Sequence, residues 1–366
     1  MFYSVNKKEN KRLELKRILR MRLQEKYGLY PEDFIAERLD EEWRAVERLG
    51  LLEHVWLVEK LVQWLNKKHY PYWLRGTAAS SLMLYLLGIT RSNPLPPHYY
   101  CPACRRVMWM MGCKDGFDLV DGELCKDKEV MLGDGHDLSW QNIWGVRKGY
   151  LEIDLPKQLY PLISRYYSIH YAGKKYKDID VLTPEGEKLV RSAKLRICCI
   201  LDLAYEKAVL DEFREQAPEK QSQFAFWEFV SREIEPQRAL RFPCKTFSDI
   251  LSLKGLSLSE GVWDKEAKEM LASGKYGPGD LIALREDVHY YFREKGFSEH
   301  EAWLGTKNIM AGYGVRGIKE EMLKAGDGWK LDRFSKIRYL FPKATLVEFM
   351  LFKLHMFQLF GKDKEG

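Results

Sequence analysis

Three groups of residues in this chain have types and spacings suited to chemistry. Glu152-Ile153-Asp154 sits in the run Leu151 to Leu155, where two carboxylates alternate with apolar side chains. The two-residue repeat of a strand puts both acids on one face. A second apolar run, Leu195 to Leu203, carries Asp202 near its end. Carboxylates converging from such strands are what a pair of hard divalent cations ~3.5–4 Å apart needs for phosphoryl transfer. A solvated strand face would look the same, and Asp178-Ile179-Asp180 repeats the spacing. The second group, Arg75-Gly76-Thr77-Ala78-Ala79-Ser80-Ser81, is small and hydroxylated and opens into the apolar stretch 82–89. A loop entering a helix presents backbone N–H groups and the positive end of the dipole, which suit a phosphate; an ordinary helix cap uses the same residue types. The third group is Cys101, Cys104, Cys113 and Cys125, four of the seven cysteines crowded into one segment. Cys101-Pro102-Ala103-Cys104 supplies the first thiolate pair of a tetrahedral zinc knuckle. No second C-x-x-C follows, so Cys113, Asp127 and His136 compete to complete it, against the reading of free thiols in a loop.

These groups need elements to position them. Residues 7–70 predict helices, with Leu13, Leu15, Ile18, Leu19 and Leu23, then Val55, Trp56, Val58, Leu61, Val62 and Leu65, at three- and four-residue spacing. Asn93-Pro94-Leu95-Pro96-Pro97 holds an extended segment that delivers the chain to the cysteine-rich stretch. Strands are expected around 151–155 and 195–203, and helices separated by Pro and Gly punctuation from about 204 onward. In the C-terminal part Lys330, Arg333, Lys336, Arg338 and Lys343 alternate with Phe334, Ile337, Tyr339, Leu340 and Phe341, a pattern able to grip phosphates and stack on bases. Phe349, Phe352, Met356 and Phe360 fall at helical spacing and read as core.

The chain has 366 residues, 46% of them hydrophobic and 31% charged, with a mean hydropathy of −0.40. That composition excludes a disordered or fibrous chain. The longest apolar run, 82–89, falls far short of the ~18 residues of a membrane span. The opening residues lead into charge, so the expected compartment is the cytoplasm. Lys7 to Lys26 holds nine Lys/Arg against Glu9, Glu14 and Glu25, a local excess of +6 that equals the whole chain's net charge. Such a stripe suits a phosphate backbone or a solvated helix face.

Taken in order, these pieces resemble the PolC-type DNA polymerase III alpha subunit of Gram-positive bacteria. The resemblance is carried by Arg75 to Ser81, Gly88-Ile89-Thr90, Asn93 to Tyr99, Cys101 to Cys104, Gly116-Phe117-Asp118-Leu119, Asp134 to Leu138, Ile153-Asp154-Leu155, Lys245 to Ser248, Gly255-Leu256-Ser257, Val262-Trp263 and Lys336 to Ala344. It implies an α+β, mostly helical fold: a nucleotidyltransferase-like palm with a small sheet, a zinc-knuckle-like loop and helical fingers. It divides the chain into a thumb-like helical region 1–70, a shortened palm 71–235 with a Cys-rich insertion 101–127, and a fingers-like region 236–366. The implied activity is template-directed nucleotidyl transfer to a DNA primer. Glu152, Asp154 and Asp202 would hold two Mg²⁺, Arg75, Gly76, Thr77, Ser80, Ser81 and Lys343 the incoming dNTP, and Cys101, Cys104, Cys113 and Cys125 a Zn²⁺. Primer-template DNA and replication proteins are the implied partners, without a membrane, in a nucleoid-associated cytoplasmic setting.

Several positions depart from the family pattern. Glu152 stands where the first metal aspartate is expected, Pro156-Lys157 where Asn-Phe follows, Trp73-Leu74 and Ala79 where the phosphate loop has Gly-Ser and Gly, Thr345 for a His and Phe349 for a Tyr. Cys125 is one residue out of register with the second knuckle pair. Asp154 and Asp202 are closer in sequence than the family interval, so part of the palm is missing between them. These departures support an alternative in which the fold persists and binds DNA or a replication partner without chemistry.

Overall fold

A computed structural model describes residues 2–120, 125–126, 129–145, 149–171, 178–182, 193–216, 222–231, 244–316, 318, 320–324 and 328–361. Asp127, Pro236, Pro243 and the 235/236 boundary lie outside them. The chain begins with three helices, α1 (Phe2–Tyr27), α2 (Asp33–Leu49) and α3 (Leu52–Lys67). Gly50 ends α2 in the left-handed region at φ 67°, its N–H bonded back to the last turn, the conformation a glycine adopts without penalty. There follow β1 (Trp73–Leu74), a 3₁₀ turn at Gly76–Ser80, α4 (Leu82–Leu86), β2 (His98–Tyr100), β3 (Val107–Trp109), β4 (Leu132–Asp134), α5 (Gln141–Trp144), β5 (Leu151–Pro156), α6 (Tyr160–Tyr171), β6 (Ile179–Leu182) and β7 (Leu195–Leu201). The remainder is helical: α7 (Leu203–Gln216), α8 (Gln223–Phe229), α9 (Phe247–Leu258), α10 (Lys265–Ala272), α11 (Arg285–Glu294), α12 (Glu299–Met310), α13 (Glu320–Lys324), α14 (Gly328–Lys336) and α15 (Lys343–Gly361). The fold is therefore α+β and mostly helical.

The larger sheet has the order β1-β5-β7-β6, with β5, β7 and β6 mutually parallel and β1 antiparallel on β5. Strand alternation sorts its two faces. Leu151, Ile153 and Leu155 of β5 and Leu195, Ile197 and Cys199 of β7 enter one hydrophobic core together with α1–α4. Glu152 and Asp154, and Arg196 and Cys198 beside them, point to the opposite face. A second core gathers α8–α12, α14 and the first half of α15. The smaller sheet, β3-β2-β4, is antiparallel, and Cys101 and Cys104 lie in the turn between β2 and β3. The 3₁₀ turn Gly116–Asp118 lies so close to β4 that a Cβ at Gly116 would stand 2.0 Å from the Asp134 carbonyl oxygen, so glycine is required there.

The last helix ties the parts together. Thr345 Oγ1 donates to the Gly76 carbonyl at 2.7 Å, Lys353 Nζ pairs with Glu206 of α7, and Glu348, fully buried, accepts from the N–H groups of Arg91 at 3.0 Å and Ser92 at 3.3 Å. Phe352 and Met356 are buried as their spacing predicts.

Burial pushes the Glu348 carboxyl up to about 7 despite the nearby Arg91. Its folded form holds the proton more tightly than the unfolded chain, so its contribution to stability is full at low pH and declines as pH rises from the ordinary carboxylate range through about 7. Glu348→Gln should flatten that decline, measured as urea stability at pH 5, 6 and 8; an unchanged slope would assign it to other groups.

Candidate functional site

Glu152 and Asp154 stand side by side on β5, 7% and 1% exposed, so the strand repeat places them as expected. What faces them differs from a metal pair. Arg75 continues the β1 ladder, its N–H donating to the Glu152 carbonyl at 2.9 Å, and its guanidinium donates to Asp154 Oδ2 at 2.7 and 3.1 Å. The same group lies 3.3 Å from Glu152 Oε1, and Arg196 of β7 holds Glu152 Oε2 at 3.2 Å. Two guanidinium ions thus neutralise two carboxylates. Burial raises the Asp154 carboxyl to about 6, with Arg75 opposing that rise, and Asp154 Oδ1 has no hydrogen-bond partner.

Asp202 does not join this pair. It follows β7 and bonds Lys157 Nζ at 2.9 Å while capping α7 through the N–H groups of Ala204 and Tyr205. Lys157 draws its carboxyl below the ordinary value. Among the described residues, the groups of three candidate ligands within 4.8 Å of one another are Glu152 with Asp154 and Cys198, and Cys101 with Cys104 and Cys125. Two magnesium ions need a larger set of oxygen donors than two arginine-bound carboxylates and a thiol. The described residues at this face do not fit a two-magnesium centre.

The phosphate loop is filled from within as well. Glu42 of α2, fully buried, accepts from the N–H groups of Leu82 at 2.9 Å and Met83 at 3.0 Å, and from Ser81 Oγ at 2.6 Å. The start of α4 attracts an anion, as its dipole and open N–H groups dictate, and the anion is an internal carboxylate. Thr77 Oγ1 donates to the Asn142 carbonyl and Ser80 Oγ to the Thr77 carbonyl. Gly76 takes φ +78°, which accounts for its lack of a side chain. Trp73 pairs with Asp154 across β1–β5, so its indole lies on the acidic face, where it stacks on Phe352 and meets Phe349 edge-on. Two departures from the family pattern, Trp73 and Phe349, therefore touch each other.

Lys343, expected on the nucleotide, is 6% exposed; its ammonium donates to the carbonyls of His136 at 2.6 Å and Lys114 at 3.0 Å and lies 3.4 Å from Asp115. Arg333, expected on a polyanion, is buried against Asp264, Glu266 and the Val262 carbonyl. Arg333 and Lys343 act as internal struts, whereas Lys336 and Arg338 of the same segment stay exposed. In α1, Lys11 pairs with Glu53, Arg12 with Glu47 and Lys26 with Asp134, leaving Lys16, Arg17 and Arg20 on the exposed side.

In the smaller sheet the β2–β3 turn brings Cys104 N–H to 3.4 Å from Cys101 Sγ, which lowers the Cys101 thiol below its ordinary value. Cys125 completes a trio. Cys113 stands apart, its thiol donating to the Asp115 carbonyl, and His136 is bonded to Asp115 at 2.9 Å. The three thiols suit zinc. Glu42, Arg196 and Cys198 escaped the sequence reading. Period-2 alternation in 195–201 marks residues 196 and 198 as sharing one face, whereas nothing local marks Glu42 in the run Asp40-Glu41-Glu42.

The family model for the bacterial DNA polymerase III alpha NTPase domain matches residues 13–233. The chain is 23% identical to a DNA polymerase III PolC-type of Caldanaerobacter subterraneus subsp. tengcongensis, over 95% of this chain and 33% of the relative. It is 22% identical to that of Bacillus cereus, over 91% and 32%, and 23% identical to that of Thermotoga petrophila, over 94% and 34%. The chain thus spans about a third of the length of these relatives. The first alignment runs over 466 positions while covering 95% of the 366 residues here, so the relative carries additional residues inside the matched span.

Removing Arg75 leaves a buried carboxylate without its cation. For a fully buried pair that costs ~3–5 kcal/mol, and partial solvation of Arg75 reduces the expected loss for Arg75→Met to about 2 kcal/mol. Urea unfolding of Arg75→Met, Asp154→Asn and the double variant should show the second change recovering at least half of the loss; additive losses would deny the coupling.

Proposed function

The chain belongs to the bacterial DNA polymerase III alpha family, and we propose that it keeps a DNA-binding polymerase scaffold without carrying out nucleotidyl transfer at the Glu152–Asp154 face. The observation that carries this reading is the internal neutralisation of both carboxylates by Arg75 and Arg196, with Asp202 bonded to Lys157. A metal pair catalyses phosphoryl transfer by neutralising charge on the attacking and leaving oxygens. Here the carboxylates that would organise such ions are already matched by side chains, and the helix start beside them is bonded to Glu42. The DNA-facing role rests on family membership and on the net charge of +6.

A second reading, metal-dependent extension of a DNA primer from dNTPs, draws on one feature. Arg75 is 43% exposed and Asp154 Oδ1 is unpartnered, so a swing of the guanidinium into solvent would release an acidic pair. Primer extension with Mg²⁺ or Mn²⁺ separates the two. The expected outcome is incorporation no greater than that of Asp154→Ala; incorporation clearly above that control selects the second reading.

Duplex binding should be salt-sensitive. With about three phosphate contacts the slope of log K against log salt is roughly −2.7, a loss of about 40-fold between 50 and 200 mM. Charge reversal at Lys16, Arg17 and Arg20, all exposed on α1, should weaken binding and flatten the slope in fluorescence anisotropy. Salt-independent binding, or none, would remove DNA from the reading.

Cys101, Cys104 and Cys125 would hold a zinc ion that braces the β2–β3 turn as structural sites do. Cys101→Ser should carry one equivalent of zinc less than the wild-type chain, with a fall in thermal stability; an unchanged zinc content in that variant would place the metal elsewhere.

A further inference from the structure

We propose that the acidic face of β5 and β7 is a site for one thiophilic divalent cation of the zinc class, ligated by Glu152, Asp154 and Cys198, with Arg75 as the internal cation that it displaces. The site goes beyond the proposed function and holds whether or not the chain binds DNA. Asp154 and Cys198 are direct partners in the parallel β5–β7 register, and a carboxylate oxygen from each acid and the Cys198 sulfur lie within 4.8 Å of one another. Asp154 is 1% exposed, and no N–H or O–H group donates to its Oδ1, while the Cys198 thiol, a weak donor, bonds the carboxyl. A buried carboxylate oxygen without a strong donor is poorly compensated for its lost hydration. The geometry needs little adjustment. Zinc with bonds of ~2.0 Å to oxygen and ~2.3 Å to sulfur sets its donors roughly 3.3–3.5 Å apart, so the trio closes by about 1 Å or slightly more. Two oxygens, a thiolate and one water make a tetrahedral set that zinc accepts and magnesium, which prefers six oxygens, does not.

Charge balance explains why the exchange is possible. Without metal, Glu152 and Asp154 are matched by Arg75 and Arg196. With metal, Cys198 loses its proton to solvent, and three negative ligands are matched by the dication and one remaining guanidinium. Arg75, 43% exposed, can turn into water, whereas Arg196, 11% exposed and 4.4 Å over the Tyr150 ring, stays. Both states are neutral, so neither leaves a net charge in the sheet.

The test uses the full chain, stripped with chelator, supplied with one equivalent of Zn²⁺ and then titrated with Co²⁺, whose bond to a thiolate gives a near-ultraviolet charge-transfer band. Zinc outcompetes cobalt for the Cys101, Cys104 and Cys125 trio, and Cys198→Ser subtracts any band arising there. Wild type should gain a cobalt–thiolate band that Cys198→Ser, checked for folding by circular dichroism, lacks; millimolar Mg²⁺ should leave it in place. If the Arg75-out state is populated at one part in ten or less, Arg75→Met should tighten cobalt binding by at least roughly tenfold. A band equal in wild type and Cys198→Ser, or none in wild type, overturns the site, and an unchanged affinity in Arg75→Met overturns the displacement. None of these readouts involves polymerisation or DNA, so they fail independently of the proposed function.

Discussion

The Glu42 carboxylate is the contact on which the rest of this site depends. It sits in the middle of α2 with no exposure to solvent and receives the N–H groups of Leu82 and Met83, the hydroxyl of Ser81 and the indole N–H of Trp144, while Arg38 pairs with it from one turn earlier. A buried carboxylate is stable only when its oxygens are satisfied, and here the satisfaction comes from three pieces of chain: Ser81 to Met83, Trp144 and Arg38. Arg38 extends the arrangement by donating to the carbonyls of Ser80 at 2.9 Å, Leu138 at 2.6 Å and Pro94 at 3.2 Å. The loop 75–81 is therefore fixed from below, and Thr345 fixes it from above through Gly76. A loop held on both sides aims Arg75 in one direction, toward β5.

That placement connects the two charged centres. Glu42 meets the positive end of α4, and Arg75, leaving the same loop, meets the two acids of β5. A polymerase palm presents the reverse requirement, a vacant anion site and vacant carboxylates that wait for a triphosphate and its metals. In this chain both positions hold side chains of the sign that an external ligand would bring. Strand order and register survive because they rest on Ile153, Leu155, Ile197 and the core beneath, on the face of the sheet that the charges do not share.

Much of this was legible in the sequence where the physics is local. The alternation in Leu151 to Leu155 predicts both the strand and the common face of Glu152 and Asp154. The spacing in 195–203 predicts its neighbour, and the Cys101–Cys104 turn announces a cluster. What sequence reading could not supply was the partner of each charge. Lys343 reads as a surface cation in a basic and aromatic run, yet it lies under the carbonyls of His136 and Lys114 from distant segments. Asp202 is at the expected place in the chain, but the bulge in the β5–β7 register between Asp154 and Pro156, and Lys157 beyond it, give that carboxylate a different neighbour. Glu42 is not marked as a site residue by the sequence around it, because apart from Arg38 its donors lie in distant segments, at Ser81 to Met83 and at Trp144.

The departures from the family pattern also gain meaning from being neighbours. Trp73 and Phe349 are far apart in sequence, and in the fold their rings are 5.8 Å apart at a tilt of 68°, a favourable edge-on contact. Thr345, four residues before Phe349 and one helical turn away, bonds the loop that follows Trp73. The indole on β1 would crowd a phosphate approaching Asp154, and the helix behind it supplies the aromatic surface that packs against that indole. The aromatic rings of Trp73, Phe349 and Phe352 thus close one side of this face, while Asp154 Oδ1 and Arg196 Nε on it are without a hydrogen-bond partner.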